Sequence, residues 1–277
     1  MTTLQKVIKY LALAFATFLV INIISAILFG VYTLSDVLGL TNKNKTQIET
    51  LSEDKKVESI QNRDVKGLTI NLQASDLVIK KGDKLAAQTN NEDISFSQDE
   101  TKLVIQEKEK NWINKKQKAT LTLYIPENIE FEEVKIITGA GEVNIETLNT
   151  QNLLLEMGAG KLQIQNLNVT KQVKIDGGVG ELDILNSTIN NLDLDLGVGE
   201  VNMTTKLTGN SDIDSGVGEL NINFADNIEN YALKVSRGIG EIKLDGKEIK
   251  EDTQYGTGNS SVKLDGGIGS INITTVK

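Results

Sequence analysis

The chain has 277 residues and a formal net charge of −9, and it contains neither Cys nor His. The absence of Cys excludes disulfides, thiol chemistry and a cysteine-linked lipid anchor. Without Cys and His, the usual ligands of transition metals and the usual bases of triad catalysis are also missing. An acidic chain is a poor partner for nucleic acid, because phosphate contacts need clustered Lys and Arg. Composition therefore predicts a protein that is not an enzyme, with no catalytic residues, metal, cofactor or nucleic-acid partner.

The first predicted element is a membrane-spanning helix at residues 11–34, a stretch of 24 residues without a charge. As a helix it is about 36 Å long, more than the ~30 Å hydrocarbon core requires. A cleaved signal peptide would have a shorter apolar region and a small-residue cleavage site, so an uncleaved signal anchor is favoured. Lys6 and Lys9 precede the span, and Lys43 and Lys45 follow it. The N-terminal amine breaks this tie and predicts a single-pass cell-membrane protein with a cytoplasmic N-terminus.

Three regions follow from this reading of the chain. Residues 1–35 hold the N-terminal tail and the anchor, and residues 36–65 form a polar stalk that is either a short helix or a disordered spacer. Residues 66–277 are predicted to be an extracellular β-repeat domain. Within it, residues 66–138 contain short alternating runs typical of strands and form an irregular β cap. Residues 139–277 carry the repeats.

One pattern recurs seven times, as GAGEVNI at 139–145 and GVGELNI at 216–222 illustrate. Most copies begin 19 or 20 residues apart, and apolar residues alternate at period two, which predicts strands with one buried face. In this register the residue between the two glycines should point inward. The phase slips after the second glycine, which predicts a bend there. The glycines expected at these structural turns are Gly139, Gly141, Gly158, Gly160, Gly178, Gly180, Gly197, Gly199, Gly216, Gly218, Gly238, Gly240, Gly267 and Gly269.

Two all-β architectures are compatible with the repeats. In a β-solenoid each repeat is one coil, and equivalent residues stack ~4.8 Å apart. In an antiparallel β-sandwich each repeat is a hairpin. Because the same residue type recurs at the same phase, the solenoid is favoured. It also predicts a second slip between Ile145 and Leu148, and an eighth, decayed copy at 256–264. One outward position would then form a mostly amide ladder of Asn144, Gln163, Asp183, Asn202, Asn221, Lys243 and Asn272.

The repeated G-x-G-E-V-x-I units and the segment LTLYIPENIEFEEVKI resemble the bacterial β-strand-repeat family labelled "putative adhesin". The resemblance covers about residues 66–277. That family is a domain of unknown function found in envelope proteins. The resemblance implies a membrane-anchored envelope protein, in some cases associated with envelope stress systems, and it supplies no catalytic residues.

Two surface features are candidate contacts. The residue after G-x-G is often acidic, as in Glu181, Glu200 and Glu219, which indicates either a stripe for cations or basic partners or, the favoured interpretation, a solvated corner. Trp112 lies among lysines that include Lys115 and Lys116. It is expected either to contact anionic wall glycopolymer, lipid headgroups or a protein, or to fold against the sheet.

The sequence therefore predicts a rigid, non-catalytic β-repeat surface for binding or sensing in the cell envelope. Its expected partners are the membrane, an envelope protein or wall glycopolymer. One alternative is a polysaccharide-active β-helix enzyme, which would need a cleft with two close carboxylates. Repeats of 19–20 residues leave little room for the loops of such a cleft. Another alternative is a structural or accessory subunit of a membrane stress-signalling complex.

Overall fold

The computed structural model describes residues 56–59, 65–99, 101–108 and 119–276, which are mostly β-strand with a short 3-10 helix at Ile228–Asn230. The predicted span at 11–34 and most of the predicted stalk lie outside these residues. Within the described residues, no helix has both the length and the apolarity needed to cross a membrane. The strands are β1 Lys56–Ser59, β2 Gly67–Leu72, β3 Asp76–Lys81, β4 Ala86–Thr89, β5 Ile94–Asp99, β6 Lys102–Glu107, β7 Thr120–Ile125, β8 Phe131–Ile145, β9 Leu148–Ile164, β10 Leu167–Asn190, β11 Leu192–Thr208, β12 Asn210–Phe224, β13 Tyr231–Leu244, β14 Lys247–Glu248, β15 Gln254–Tyr255 and β16 Ser260–Thr275.

Each repeat contributes one long, bent strand that pairs in parallel with the equivalent strand of a neighbouring repeat. Between β10 and β11 the register joins Val173 to Leu192 before the bend and Ile184 to Met203 after it. The same parallel register continues through β8, β9, β12, β16 and β13. The fold is therefore all-β and solenoid-like, with one rung per repeat, and the repeats are not antiparallel hairpins of a sandwich.

Alternating apolar residues on both sides of the bend form one continuous core. In β10, Ile175 lies before the bend, Leu182 and Ile184 lie after it, and all three are buried. The predicted slip between Ile145 and Leu148 is confirmed. Residues three positions apart in a straight strand face opposite sides, yet both of these are 1% exposed. The aliphatic side chains of successive rungs thus pack together as one core.

The strand order departs from chain order at the C-terminal end. β16 lies between β12 and β13 and pairs in parallel with both. The chain therefore leaves a one-rung gap after β12, forms β13, and returns at the end to fill the gap with β16. β14 and β15 pair antiparallel with β13 and cover part of its outer edge, where an open strand would invite aggregation. The expected eighth copy at 256–264 is wrong, because Gly256 and Gly258 approach Ile228–Tyr231 instead of another G-x-G.

At the N-terminal end, rungs are assembled from pairs of short strands. β2 and β3 together form the rung beside β8, and β6 and β7 form the next one. β4 and β5 then pair antiparallel with β7 and β6. The parallel stack therefore meets antiparallel strands at both ends, which cover part of its open edge.

A stack of glycines forms the bend in every regular rung. From β9 onward, a Cβ added at either glycine of a G-x-G would overlap the carbonyl oxygen of the equivalent glycine in the adjacent rung. The second glycine also has a positive φ, from +142° at Gly160 to +159° at Gly180, which disfavours residues with a side chain. Both glycines are thus required, one row for close backbone approach and the other for close approach and conformation together.

The corner between β2 and β3 lacks glycine and is completed by a buried carboxylate. Gln73, Ala74 and Ser75 occupy the corner between β2 and β3, and their backbone N–H groups donate to Glu107 Oε2 at 2.8, 3.2 and 3.3 Å. The Ser75 hydroxyl and the Asn91 amide donate to Glu107 Oε1 at 2.9 and 2.7 Å. Burial alone would raise the pKa of Glu107, but these donors hold that pKa below its usual value.

The glycine stack predicts that Gly199→Ala destabilises the fold by more than about 4 kcal/mol, because the methyl group meets the Gly180 carbonyl at a positive φ. Gly246→Ala is the matched control. Gly246 also has a positive φ, of 75°, but nothing lies within 4 Å of an added Cβ, so its cost should be about 1–2 kcal/mol. Urea denaturation of the full chain measures both changes. Equal costs for the two variants would contradict the close-approach argument.

Candidate functional site: the corner surface

The residues between paired glycines face solvent, and the prediction that they point inward is wrong. Val179 is 46%, Ile268 37% and Ile239 59% exposed. The buried alternation stops at the residue before the first glycine. The chain then turns around the core, so the residue at the apex of this convex corner has its side chain directed away from the core. We call these apex residues the aliphatic row, which comprises, in rung order, Ala140, Ala159, Val179, Val198, Val217, Ile268 and Ile239.

The aliphatic row is in register along its whole length. Each member pairs directly with the next across adjacent strands, at the ~4.8 Å spacing of a sheet. The side chains grow along the stack, from alanine in β8 and β9, through valine in β10 to β12, to isoleucine in β16 and β13. The corner therefore presents a continuous apolar edge that is bulkiest near the β13 end.

One border of the aliphatic row is the position after the second glycine, which we call the glutamate row. Its members are Glu142, Lys161, Glu181, Glu200, Glu219, Ser270 and Glu241. Lys161 Nζ lies 2.7 Å from Glu181 Oε1, and Lys243 Nζ lies 2.6 Å from Glu241 Oε2. The Asn272 amide donates to Glu219 at 3.0 Å. The carboxylates are thus close to solvent and only partly paired with cations.

The other border is an aspartate face on the outward side of the strands before the corner. It comprises Asp193, Asp195, Asp212, Asp214 and Asp265. Single oxygens of three of them, Asp212, Asp214 and Asp265, all lie within 4.8 Å of one another. Carboxylate oxygens at this separation suit a hard cation such as Ca²⁺. Lys263 already supplies positive charge here, because it contacts Asp265 and its Nζ lies 3.5 Å from Asp212.

Asp214 is the member of the aspartate face whose charged form is disfavoured by its surroundings. Burial raises its pKa first, and the neighbouring charges of Asp212 and Asp265 raise it further. Lys174, two rungs away on β10, is instead shared among Asp176 at 3.1 Å, Asp193 at 3.3 Å and Asp195 at 4.0 Å. The aspartate face therefore keeps an excess of negative charge around Asp214.

A groove of about 440 Å³ lies across β8 to β11, at the residues that precede the corner. Its lining includes the apolar side chains of Ile137 and Met157, and its acidic members are Glu156, Asp176 and Asp195. The groove therefore brings apolar and acidic groups together beside the glycines of the corner.

The predicted amide ladder is confirmed over five rungs on the strands after the corner. Gln163 and Asn202 both donate to the Asp183 carboxylate, at 3.1 and 3.0 Å. Asn221 donates to Asn202, and Asn272 donates to Asn221, each at 3.0 Å. Burial would raise the pKa of Asp183, but these amides and Lys161 lower it below its usual value. The ladder ties consecutive rungs together beside the corner.

Sequence reasoning placed Glu181, Glu200 and Glu219 on one corner, as found, but it missed the exposed aliphatic row and the aspartate face. The aspartates had a readable signal, since LDLDLGVG and SDIDSGVG alternate apolar and acidic residues at period two. Trp112, Lys115 and Lys116 lie outside the described residues.

The family described as Toastrack DUF4097 matches residues 64–266. The chain belongs to this family. This match confirms the resemblance drawn from the repeats. Solved structures similar to this Toastrack chain include proteins described as adhesins. A putative cell adhesion protein from Clostridium sporogenes is 16% identical with a TM-score of 0.38, and the match covers 80% of this chain and 99% of that one. A putative adhesin from Bacteroides fragilis is 12% identical with a TM-score of 0.40, covering 80% and 96%.

A third structure is described as a putative lipid binding protein from Parabacteroides distasonis. It is 15% identical with a TM-score of 0.30, and the match covers 82% of this chain and 98% of that one. No curated protein matches the sequence.

The raised pKa of Asp214 predicts that Asp214→Asn stabilises the Toastrack fold at pH 7 by up to about 1 kcal/mol, because the ionised carboxylate is partly buried and lies beside the like charges of Asp212 and Asp265. A carboxyl with a raised folded-state pKa destabilises the fold only when ionised. The gain should therefore be complete above the folded-state pKa and vanish as the pH falls below the unfolded value of about 3.9.

Asp176→Asn is the control for this prediction, because Asp176 lies 3.1 Å from Lys174 and its charge is compensated. It should bring no gain. Thermal unfolding of both variants at pH 7 and pH 3 measures the difference. A gain for Asp214→Asn that persists at pH 3 would show that ionisation of Asp214 is not its cause.

Proposed function

We propose that this Toastrack protein is a single-pass, signal-anchored envelope protein that presents a rigid, non-catalytic surface for binding or sensing outside the cell membrane. The observation that carries the proposal is the exposed aliphatic row with carboxylates on both borders. Contiguous exposed apolar surface on a folded protein marks an interaction site, whereas scattered apolar residues do not. Seven in-register aliphatic residues are a contiguous surface.

Rigidity supports a binding role. The aliphatic row is fixed by parallel backbone pairing, by the glycine stack behind it and by the amide ladder beside it. Binding to such a surface therefore carries a small entropy cost for ordering this protein. The corner surface is thus organised before any partner arrives.

The chemistry of the residues supports a non-catalytic role. The chain has no His and no Cys to act as a base or nucleophile. The aspartate face lies on the outward side of regular strands, and lysines already contact several of its carboxylates. The glutamate row lies on the convex side of the corner. Both arrangements suit recognition of a surface better than enclosure of a substrate.

The uncharged stretch at 11–34 supports attachment to the membrane, and the lysines around it favour a cytoplasmic N-terminus. With this orientation the corner surface faces the space between membrane and wall. An envelope protein or wall glycopolymer is then the partner within reach.

One experiment in intact cells tests both location and binding. Because the chain has no Cys, single cysteines can carry a membrane-impermeant, thiol-reactive photo-crosslinker. Val179→Cys places it on the aliphatic row at a site 46% exposed, and Leu185→Cys places it at a site 41% exposed outside that row. Both should be labelled in intact cells, and illumination should give a reproducible envelope adduct from Val179→Cys alone. Thr3→Cys should be labelled only after lysis.

The two parts of the proposal fail separately in this experiment. Labelling of Val179→Cys and Leu185→Cys only after lysis would contradict the extracellular location. Labelling of both without a distinct adduct from Val179→Cys would contradict a binding role for the corner surface.

A further inference from the structure

The aliphatic row carries its largest side chains over the five rungs β10, β11, β12, β16 and β13. Its members there are three valines and two isoleucines, and Ile239 on the last rung is 59% exposed. Four intervals of ~4.8 Å give an apolar edge about 19 Å long. This is the length of a short secondary-structure element of a partner, not of a small molecule.

The carboxylates on both borders determine the charge of that partner. No lysine or arginine within the described residues forms an ion pair with Glu200, Glu219 or Asp214. These three lie on the β11 and β12 rungs, on both sides of the apolar edge. A partner with apolar residues along its centre and basic residues on both flanks would bury the aliphatic row and pair with these carboxylates at the same time.

The rung spacing determines the secondary structure of that partner. The apolar stripe of an α-helix advances about 5.4 Å per turn, close to the ~4.8 Å between rungs. A β-strand laid along the row would present side chains on one face about every 6.6–6.8 Å and would lose register after one rung. A helix of about 13 residues spans 19 Å. The edge therefore matches an amphipathic helix better than a strand.

A second copy of this chain is a poorer occupant, although its row has the same spacing. Packing two rows against each other would bring the glutamate row and the aspartate face of one copy toward those of the other. Like charges at an interface are costly, and each chain has a formal net charge of −9.

We propose that the corner surface binds a basic amphipathic α-helix of a partner protein, which lies along the aliphatic row with its Lys and Arg side chains over the glutamate row and the aspartate face. This inference rests on the proposed binding function and specifies the partner. It makes the carboxylates specificity determinants and the aliphatic row the main contact area.

The test uses a synthetic 14-residue helical peptide with a leucine stripe flanked by lysines. One control peptide has glutamates in place of the lysines, and another has the same composition in an order without a helical stripe. Binding is measured by fluorescence anisotropy to the full chain in zwitterionic lipid nanodiscs, with empty nanodiscs subtracted. The Leu/Lys helix should bind at least 10-fold more tightly than either control peptide.

Two variants locate the binding site, with one control each. Val198→Ser/Val217→Ser should weaken binding about 10-fold, and Glu200→Gln/Glu219→Gln should weaken it several-fold and reduce its salt dependence. Leu185→Ser and Glu229→Gln, both at exposed sites away from the row, should change binding less than 2-fold. Glu200→Gln/Glu219→Gln and the two control variants should unfold at unchanged urea concentration, because their side chains are exposed. Val198 and Val217 are half-buried, so the binding of Val198→Ser/Val217→Ser is compared under conditions in which its urea curve shows it fully folded.

Each alternative occupant gives a distinct result that overturns the inference. Equal binding of the glutamate peptide would exclude a basic partner, and equal binding of the peptide without a stripe would exclude a helix. Self-association in sedimentation that Val198→Ser/Val217→Ser abolishes would identify a second copy as the occupant. A crosslinked envelope adduct at Val179→Cys with no preference for the Leu/Lys helix would leave the binding function intact and contradict this partner.

Discussion

Backbone stacked on backbone at the G-x-G corner is the constraint on which the rest of this structure depends. Each glycine approaches the carbonyl oxygen of its equivalent one rung away too closely for a side chain. The second glycine of each pair also has a positive φ. Among the rungs formed by single long strands, from β8 to β13 with β16, each has both glycines and pairs in the register that superposes them. The corner therefore sets the repeat, the parallel pairing and the direction of the residue between the glycines.

The same register converts the sequence of one repeat into rows of identical chemistry on the surface. A position that is outward in one rung is outward in its neighbours. A residue type that recurs at that position of the repeat therefore forms a continuous stripe on the surface. Amides in one row satisfy each other through hydrogen bonds from Gln163 to Asn272. Carboxylates cannot do so, and they depend on lysines such as Lys161, Lys174 and Lys263. The uncompensated carboxylates are thus a direct consequence of stacking.

Much of the fold could be predicted from the sequence, because period and parity are local signals. The spacing of 19 or 20 residues predicted rungs, the odd step from Ile145 to Leu148 predicted a turn, and the recurrent Asn and Gln predicted the ladder. Parity could not predict that Val179 faces outward. Alternation describes a straight strand, whereas the orientation of an apex residue depends on which side of a bend the core lies.

Two other features depend on contacts that are distant along the chain. The position of β16 between β12 and β13 could not be predicted, since its repeat resembles the others and nothing in a repeat encodes its order. The role of Glu107 was also missed. Its neighbours in sequence are lysine-rich, but its hydrogen-bond donors at Gln73–Ser75 are more than 30 residues away.

The outward apex is the central claim, and cysteine accessibility tests it most directly. Ile239 and Ile242 lie three residues apart on β13, yet Ile239 is 59% and Ile242 1% exposed. In a chain without native cysteine, Ile239→Cys should react with a maleimide in the folded state nearly as fast as in urea. Ile242→Cys should react only on unfolding. Protection of Ile239→Cys to the same degree as Ile242→Cys would place the apex inside the core and contradict the account.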